Sequence, residues 1–165
     1  MKVLFLYTEL AEYFIKSCET LAQHAEVHVI RWPVNKEAPF EFEFPSGLKI
    51  YDKPRYTSRE LHSLVQQIDP SVIVCSGWID KDYLSISRKF KGKIPTIMAL
   101  DTHWRASLRQ LVALFPLRWY LKRRFSHAWV PGPPQKRYAL RLGFREHRIK
   151  TGYYCCDLDR FNRIY

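Results

Sequence analysis

A chain of 165 residues, 47% hydrophobic and 15% aromatic, is long enough for one domain with a substantial core. It has no low-complexity tract, no internal repeat and no run of ~18 apolar residues, so it offers neither a solenoid nor a membrane-crossing helix. The net charge of +11 is lopsided: residues 101–150 carry 12 Lys or Arg against 2 carboxylates, a balance that points to an anionic partner for that segment or to a solvated basic surface.

The opening KVLFLYT, residues 2–8, is a nearly continuous apolar run, the pattern of a strand buried on both faces. Its few apolar residues before Thr8 are too short a core for a secretory signal. Residues 9–24 place Leu10, Phe14, Cys18 and Leu21 on one helical face, and AEVHVIRW at 25–32 is a second strand. Residues 33–54 hold four prolines and alternating Phe and Glu, and read as loop with an edge strand. A helix is expected over 58–69, with Ser58 as its N-cap and Pro70 as its stop. The strand at 70–78 ends on Gly77, and the helix at 80–92 is capped by Asp80 and stopped by Gly92. A strand follows over 94–104. Residues 105–125 are helical, with Pro116 breaking or restarting the helix. A short strand at 127–132, a helix at 133–143 beginning on proline, and a strand at 147–154 complete the series.

Strand and helix alternate from end to end, which predicts an α/β fold: a doubly wound, Rossmann-like parallel sheet with helices on both faces. In such sheets ligands bind at the carboxyl ends of the strands, near the switch in strand order. Four strand ends therefore supply the candidates. The first gives Tyr7, Thr8 and Glu9, the second Gly77 and Trp78, the third Asp101, His103 and Arg105, and the fourth Gly132. Plainer roles exist for several: Thr8 as a helix cap, Gly77 as a turn, Trp78 as a cover for the core edge. The D-T-H-W-R cluster is harder to reduce to packing, because it sets a carboxylate, an imidazole and a guanidinium within five residues. The cysteines at 18, 75, 155 and 156 and the six histidines have no zinc-site spacing, so no metal is expected, and a reduced cytoplasmic protein is the plain reading.

The first strand–helix turn, YTELAE, contains no glycine, and no G-x-x-x-x-G-K-[ST] loop occurs, which excludes a nicotinamide dehydrogenase and a P-loop NTPase. The basic segment has Leu108, Leu111, Val112, Phe115 and Trp119 at helical spacing, with Arg118, Lys122, Arg123 and Arg124 around them. Aromatic residues beside cations on an amphipathic helix suit an anionic membrane surface. The alternative is a helix that packs its apolar stripe on the sheet and wets its basic face. No RNP, KH or helix-turn-helix signature accompanies the charge, so nucleic acid is not the expected partner.

The span AWVPGPPQKRYALRLGFREHRIKTGYYCCDLDRF resembles the end of the N-terminal domain of GT-B-fold glycosyltransferases, the family 4-like group in particular. The matching positions are Leu142, Gly143, Phe144, Arg148, Ile149, Gly152, Asp157 and Phe161. MKVLFLY and DPSVIVCSGW extend the resemblance more weakly. It implies that residues 1–153 form an acceptor-binding domain and that 154–165 begin the crossing to a nucleotide-sugar domain. It implies a retaining glycosyltransferase of surface polysaccharide synthesis, working on a saccharide or lipid-linked acceptor at the cytoplasmic membrane face, with the nucleotide-sugar as substrate and no further cofactor. It gives His103 a sugar hydroxyl, Asp101 the orientation of His103 or of the acceptor, and Arg105 a phosphate. Two departures stand out: YTELAE replaces a glycine-rich first turn, and Cys155-Cys156-Asp157 replaces N-G-x-D. A free-standing, non-enzymatic module with a basic face for an anionic partner is the alternative.

Overall fold

The computed structural model of the protein describes residues 1–33 and 44–154. Seven parallel strands form one sheet: β1 (Lys2–Tyr7), β2 (Glu26–Arg31), β3 (Leu48–Asp52), β4 (Val72–Ser76), β5 (Thr96–Ala99), β6 (His127–Trp129) and β7 (Ile149–Lys150). Their order in space is β3-β2-β1-β4-β5-β6-β7, so the chain winds outward in one direction and then in the other. Among the described residues five α-helices lie in the connections: α1 (Glu12–Ala22), α2 (Ser58–Ile68), α3 (Lys81–Phe90), α4 (Leu108–Lys122) and α5 (Pro133–Arg141). This is the doubly wound α/β architecture that the alternation predicts.

Strand periodicity divides the core in two. Leu4, Leu6, Ile30, Ile73, Cys75 and Met98 face one side, where they meet Leu61 and Val65 of α2, Tyr83 of α3, Leu121 of α4 and Tyr138 of α5. Val3, Phe5, Tyr7, Val27 and Val29 face the other side, against Phe14, Ile15 and Cys18 of α1. The winding rule requires this division, since right-handed crossovers that change direction must change face.

The structure moves several boundaries. Thr57, not Ser58, caps α2, in a reciprocal box in which Glu60 N–H donates to Thr57 Oγ1 and Thr57 N–H donates to the Glu60 carboxylate. Helix α1 starts at Glu12 rather than Glu9, and Thr8 does not cap it; the residue before it is Ala11, with no side-chain cap. The expected edge strand is β3, while the adjoining residues 34–43 lie outside the described residues. Pro116 neither breaks nor restarts α4, which runs through it as one helix. The carbonyl that Pro116 cannot satisfy belongs to Val112, on the solvent side, where water can replace the missing N–H. The strand expected over 94–104 is shorter: β5 ends at Ala99, and residues 101–106 leave the sheet as an irregular loop.

Asp80 is the most heavily engaged polar group of the described residues. Its carboxylate accepts the N–H groups of Asp82 and Tyr83 at the start of α3 at 2.9 and 3.0 Å. It also accepts the indole N–H of Trp32 at 2.6 Å and the ammonium of Lys53. Burial opposes the charge on Lys53, yet Asp80 and Asp82 outweigh it and raise its pKa. Replacing Asp80 by Ala removes a cap, leaves the indole N–H of Trp32 without its acceptor and leaves the half-buried Lys53 ammonium with Asp82 as its remaining carboxylate. A loss of about 3 kcal/mol is expected, read as the urea midpoint of unfolding against the parent chain.

His28 is buried between Glu26 and Tyr51, with its ring nitrogens 3.0 and 3.1 Å from their oxygens. Burial lowers its pKa despite the opposing pull of Glu26, and burial lowers those of His62 and His127 as well. The unfolded chain therefore binds more protons than the folded one below the ordinary imidazole value, and stability falls as pH falls. The melting temperature is expected to be level above about pH 7 and to drop steadily below about pH 6.5, before the carboxylates titrate. A melting temperature that rises on acidification through this window would contradict that sign.

Candidate functional site

The order of the strands reverses between β1 and β4, so the crevice at their carboxyl ends is where the fold leaves room for a ligand. Two side chains seam it. The Thr8 N–H donates to Ser76 Oγ at 2.9 Å, and the two hydroxyls lie 3.2 Å apart. Thr8 is thus tied across the switch point instead of to the helix after it. Glu9 is exposed, with no polar partner among the described residues. Gly77 takes φ +69°, and a Cβ there would meet nothing within 4 Å, so the turn itself requires the glycine. Trp78 is half-buried on the core, as a cover for its edge.

Tyr7 lies under the crevice. It stacks on Phe14 at 3.9 Å between ring centroids, and its hydroxyl is 2.5 Å from that of Tyr153, just beyond β7. Burial, with the neighbouring Tyr153, pushes its pKa far up, and burial does the same to Tyr153. These two phenols stay neutral and serve as a hydrogen-bonded floor, so Tyr7 is not an exposed ligand contact. Tyr154 stands half exposed beside them, pushed up to about 12 by burial and then by the charge of Asp101.

The loop between β5 and α4 supplies the chemistry-bearing groups. Ser107 caps α4 by accepting the Gln110 N–H, and Gln110 then reaches back over the loop. Its Oε1 accepts the Arg105 N–H at 2.7 Å, and its Nε2 donates to the His103 carbonyl at 3.1 Å. Arg105 Nε donates to His103 Nε2 at 3.1 Å. That contact makes Nε2 an acceptor, which leaves Nδ1 to carry the imidazole proton. Asp101 has different partners: Thr102 Oγ1 and Tyr154 Oη, each at 3.4 Å. Trp104 anchors the loop on Tyr138 of α5, its ring lying 5.1 Å from the Arg141 guanidinium carbon. His103, Arg105 and Asp101 are exposed at the sheet's carboxyl edge and free to meet a ligand. Gly132 opens the neighbouring edge between β6 and α5, with extended backbone, and a Cβ there would come no nearer than 4.0 Å to Pro134 Cδ.

Of the five residues expected on an anion-contacting face, Arg118, Trp119 and Lys122 lie in α4 and Arg123 and Arg124 follow its end. Trp119 is exposed, with the Arg123 guanidinium 3.5 Å above its ring, and Arg118 and Lys122 are exposed as well. Arg124 departs from that expectation by turning inward. Its guanidinium lies 3.4 Å from the Tyr120 ring centre, it donates to the Tyr120 carbonyl, and its Nε is buried without a partner among the described residues. Among the described residues no group of three or more His, Cys, Asp or Glu is placed to hold a metal, and no helix is long and apolar enough to cross a membrane. Cys18 and Cys75 are buried, and burial pushes the Cys75 thiol up to about 12; Cys155 and Cys156 lie outside the described residues.

No protein-family model and no curated protein sequence matches the chain. Solved structures do share its fold. The UDP-GlcNAc 2-epimerase of Methanocaldococcus jannaschii aligns over 92% of this chain and 45% of its own, with 19% identity and a TM-score of 0.60. That of Rickettsia bellii covers 99% and 48%, with 13% identity and a TM-score of 0.61. Anabaena Alr3699/HepE, in complex with UDP and glucose, covers 96% and 46%, with 15% identity and a TM-score of 0.57. The chain thus spans about half the length of each, and at these identities the likeness is one of fold.

Gln110 is the one side chain here that holds both His103 and Arg105 through their backbone. Gln110→Ala is expected to raise the amide exchange rate of Arg105 about fivefold, the equivalent of one hydrogen bond, while the α4 amides beyond the first turn keep theirs. Unchanged exchange at Arg105 would mean that the loop is held some other way.

Proposed function

We propose that this chain is the acceptor-binding N-terminal half of a retaining glycosyltransferase of the family 4 kind. In this reading residues 1–153 are the domain and 154–165 begin the crossing to a second, nucleotide-sugar-binding domain. The observation that carries it is the His103–Arg105 pair, presented by Gln110 at the open carboxyl edge of the sheet. The fold likeness to proteins named for UDP-GlcNAc or complexed with UDP and glucose, each about twice as long, supports it.

Glycosyl transfer passes through an oxocarbenium-like state while a nucleoside diphosphate departs, so its catalyst needs fixed dipoles and cations more than a strong base. Arg105 supplies a permanent cation for phosphate oxygens. By donating to His103 Nε2 it also leaves Nδ1–H as a donor for a sugar hydroxyl. Asp101, tied to Tyr154 and Thr102 through one oxygen each, is placed to accept from an acceptor hydroxyl. Thr8, Ser76 and the bare turns at Gly77 and Gly132 leave polar, uncrowded walls beside them. The products of this reaction are a glycan or lipid-linked saccharide of surface polysaccharide and a free nucleoside diphosphate.

A second reading, favoured by the likeness to two epimerases, is that the same cleft inverts a nucleotide-sugar without an acceptor. The experiment is to express the gene from Met1 through whatever follows Tyr165 and to incubate it with nucleotide-sugars, with and without saccharide acceptors. Acceptor-dependent release of nucleoside diphosphate is expected, and His103→Ala should lower kcat about 100-fold. Residues 1–165 alone should give no turnover. Acceptor-independent epimerisation selects the second reading, and turnover by residues 1–165 alone overturns the division of labour between two halves.

A further inference from the structure

Helix α4 is apolar on two opposite sides. Leu114, Leu117, Tyr120 and Leu121 pack on the core, as a crossover helix must. Leu108, Leu111, Val112, Phe115 and Trp119 recur at helical spacing on the other side, and they are 82%, 51%, 79%, 85% and 58% exposed. Neither the sheet nor any neighbouring helix needs that second stripe. A contiguous apolar patch of this kind on a water-soluble surface marks a contact with something else.

The chemistry beside the stripe says what that is. At the carboxyl end of α4 lies a cavity of about 550 Å³, lined by Lys91, Arg118, Lys122, Arg145 and Arg148 around Gly143. No carboxylate is among the described residues that line it. The dipole of α4 accounts for Lys122 in its last turn, but not for the others. Lys91 follows α3, and Arg145 and Arg148 belong to the turn before β7, so three separate segments deliver cations to one hollow. Gly143, at φ +89°, lets Arg118 lie across it; a Cβ there would come within 2.6 Å of the guanidinium Nε. The Lys91 ammonium donates to the Lys122 carbonyl. Burial, then repulsion from Lys122 and Arg148, lowers its pKa, the mark of positive charges gathered without an anion. Helical spacing sets Arg118 and Lys122 along one flank of the exposed stripe and Arg123 along the other.

We propose that α4 and this cavity form one membrane-docking face, with the stripe from Leu108 to Trp119 lying among the acyl chains of an anionic bilayer and the cavity holding a phosphodiester headgroup. The proposal does not depend on the transferase reading. Charge complementarity selects the occupant: five cations with no carboxylate suit phosphate oxygens, and an apolar stripe flanked by cations suits the lipid interface rather than a soluble anion. Trp119, with Arg123 over its ring, stands at the junction where aromatic rings partition best.

The test is flotation of the 165-residue chain with phosphatidylcholine vesicles, with and without phosphatidylglycerol. Binding is expected only to the anionic vesicles, weakening as salt rises. The triple variant Lys91→Gln, Arg145→Gln, Arg148→Gln should bind about 100-fold more weakly, at about fivefold for each cation lost. Leu111→Ser with Phe115→Ser should remove about tenfold or more of the binding that persists at high salt. Brominated phosphatidylglycerol should quench the tryptophan emission of the parent chain, and Trp119→Phe should abolish most of that quenching. The quenching also decides the matter should a variant fail to fold. Equal flotation with neutral vesicles, full binding by the triple variant, or no quenching overturns the proposal. So does binding of inorganic pyrophosphate or a nucleic acid without retention on anionic vesicles.

Discussion

The rim of the sheet depends on one buried carboxylate. Asp80 gathers two helix N–H groups, an indole N–H and an ammonium. Those donors come from the start of α3, from Trp32 after β2 and from Lys53 after β3, so a single anion ties three carboxyl-edge connections together. Below it the fully buried Tyr83 donates to the carbonyls of Tyr7 and Ile30, at the ends of β1 and β2. A buried charge is stable only when paired and hydrogen-bonded, and here Lys53 supplies the pairing while two helix N–H groups and an indole N–H supply the hydrogen bonds. The crevice at the switch point is therefore cut into an edge whose connections are cross-tied through Asp80 and Tyr83.

On that edge the two halves of the sheet do different work. The β1–β4 side offers hydroxyls, a bare turn and a neutral phenolic floor. The β5–β6 side offers the ionisable groups, on a loop tied back by Gln110 and anchored by Trp104. Helix α4 begins at this loop and ends at the basic cavity. One crossover connection thus carries the candidate cleft at its start and the candidate membrane contact along its exposed side to the basic cavity at its end.

Much of this was legible in the sequence, for local reasons. Nearly continuous apolar runs marked the strands, helical spacing and caps marked the helices, and their alternation implied a parallel sheet with helices on both faces. The carboxyl-edge rule gave Thr8, Gly77, Asp101, His103 and Gly132 as positions at the rim. What the sequence hid was partnership. Thr57 and Ser58 are both competent caps, and only the Glu three residues after Thr57 distinguishes them. Nothing in YTELAE marks the uncapped start of α1 at Glu12. The Tyr7–Tyr153 contact joins residues 146 apart, and no periodicity reports it. Arg105 as the partner of His103, with Gln110 behind both, needed the irregular path of residues 101–106. The orientation of α4 was ambiguous because the helix is apolar on both sides, and only packing shows which stripe the core takes.

The place of β1 bears on how the chain is made. It is the first strand to emerge and it lies in the interior of the sheet, between β2 and β4. Its β2 side closes within a few tens of residues, but its other side waits for β4, whose register sets Val3 against Val72. During that interval on the ribosome a strand of Val, Leu, Phe and Tyr presents an open edge, the kind that pairs with whatever strand is near. A strand buried on both faces thus waits through about seventy residues of synthesis for its second neighbour, and β4 is what seals it.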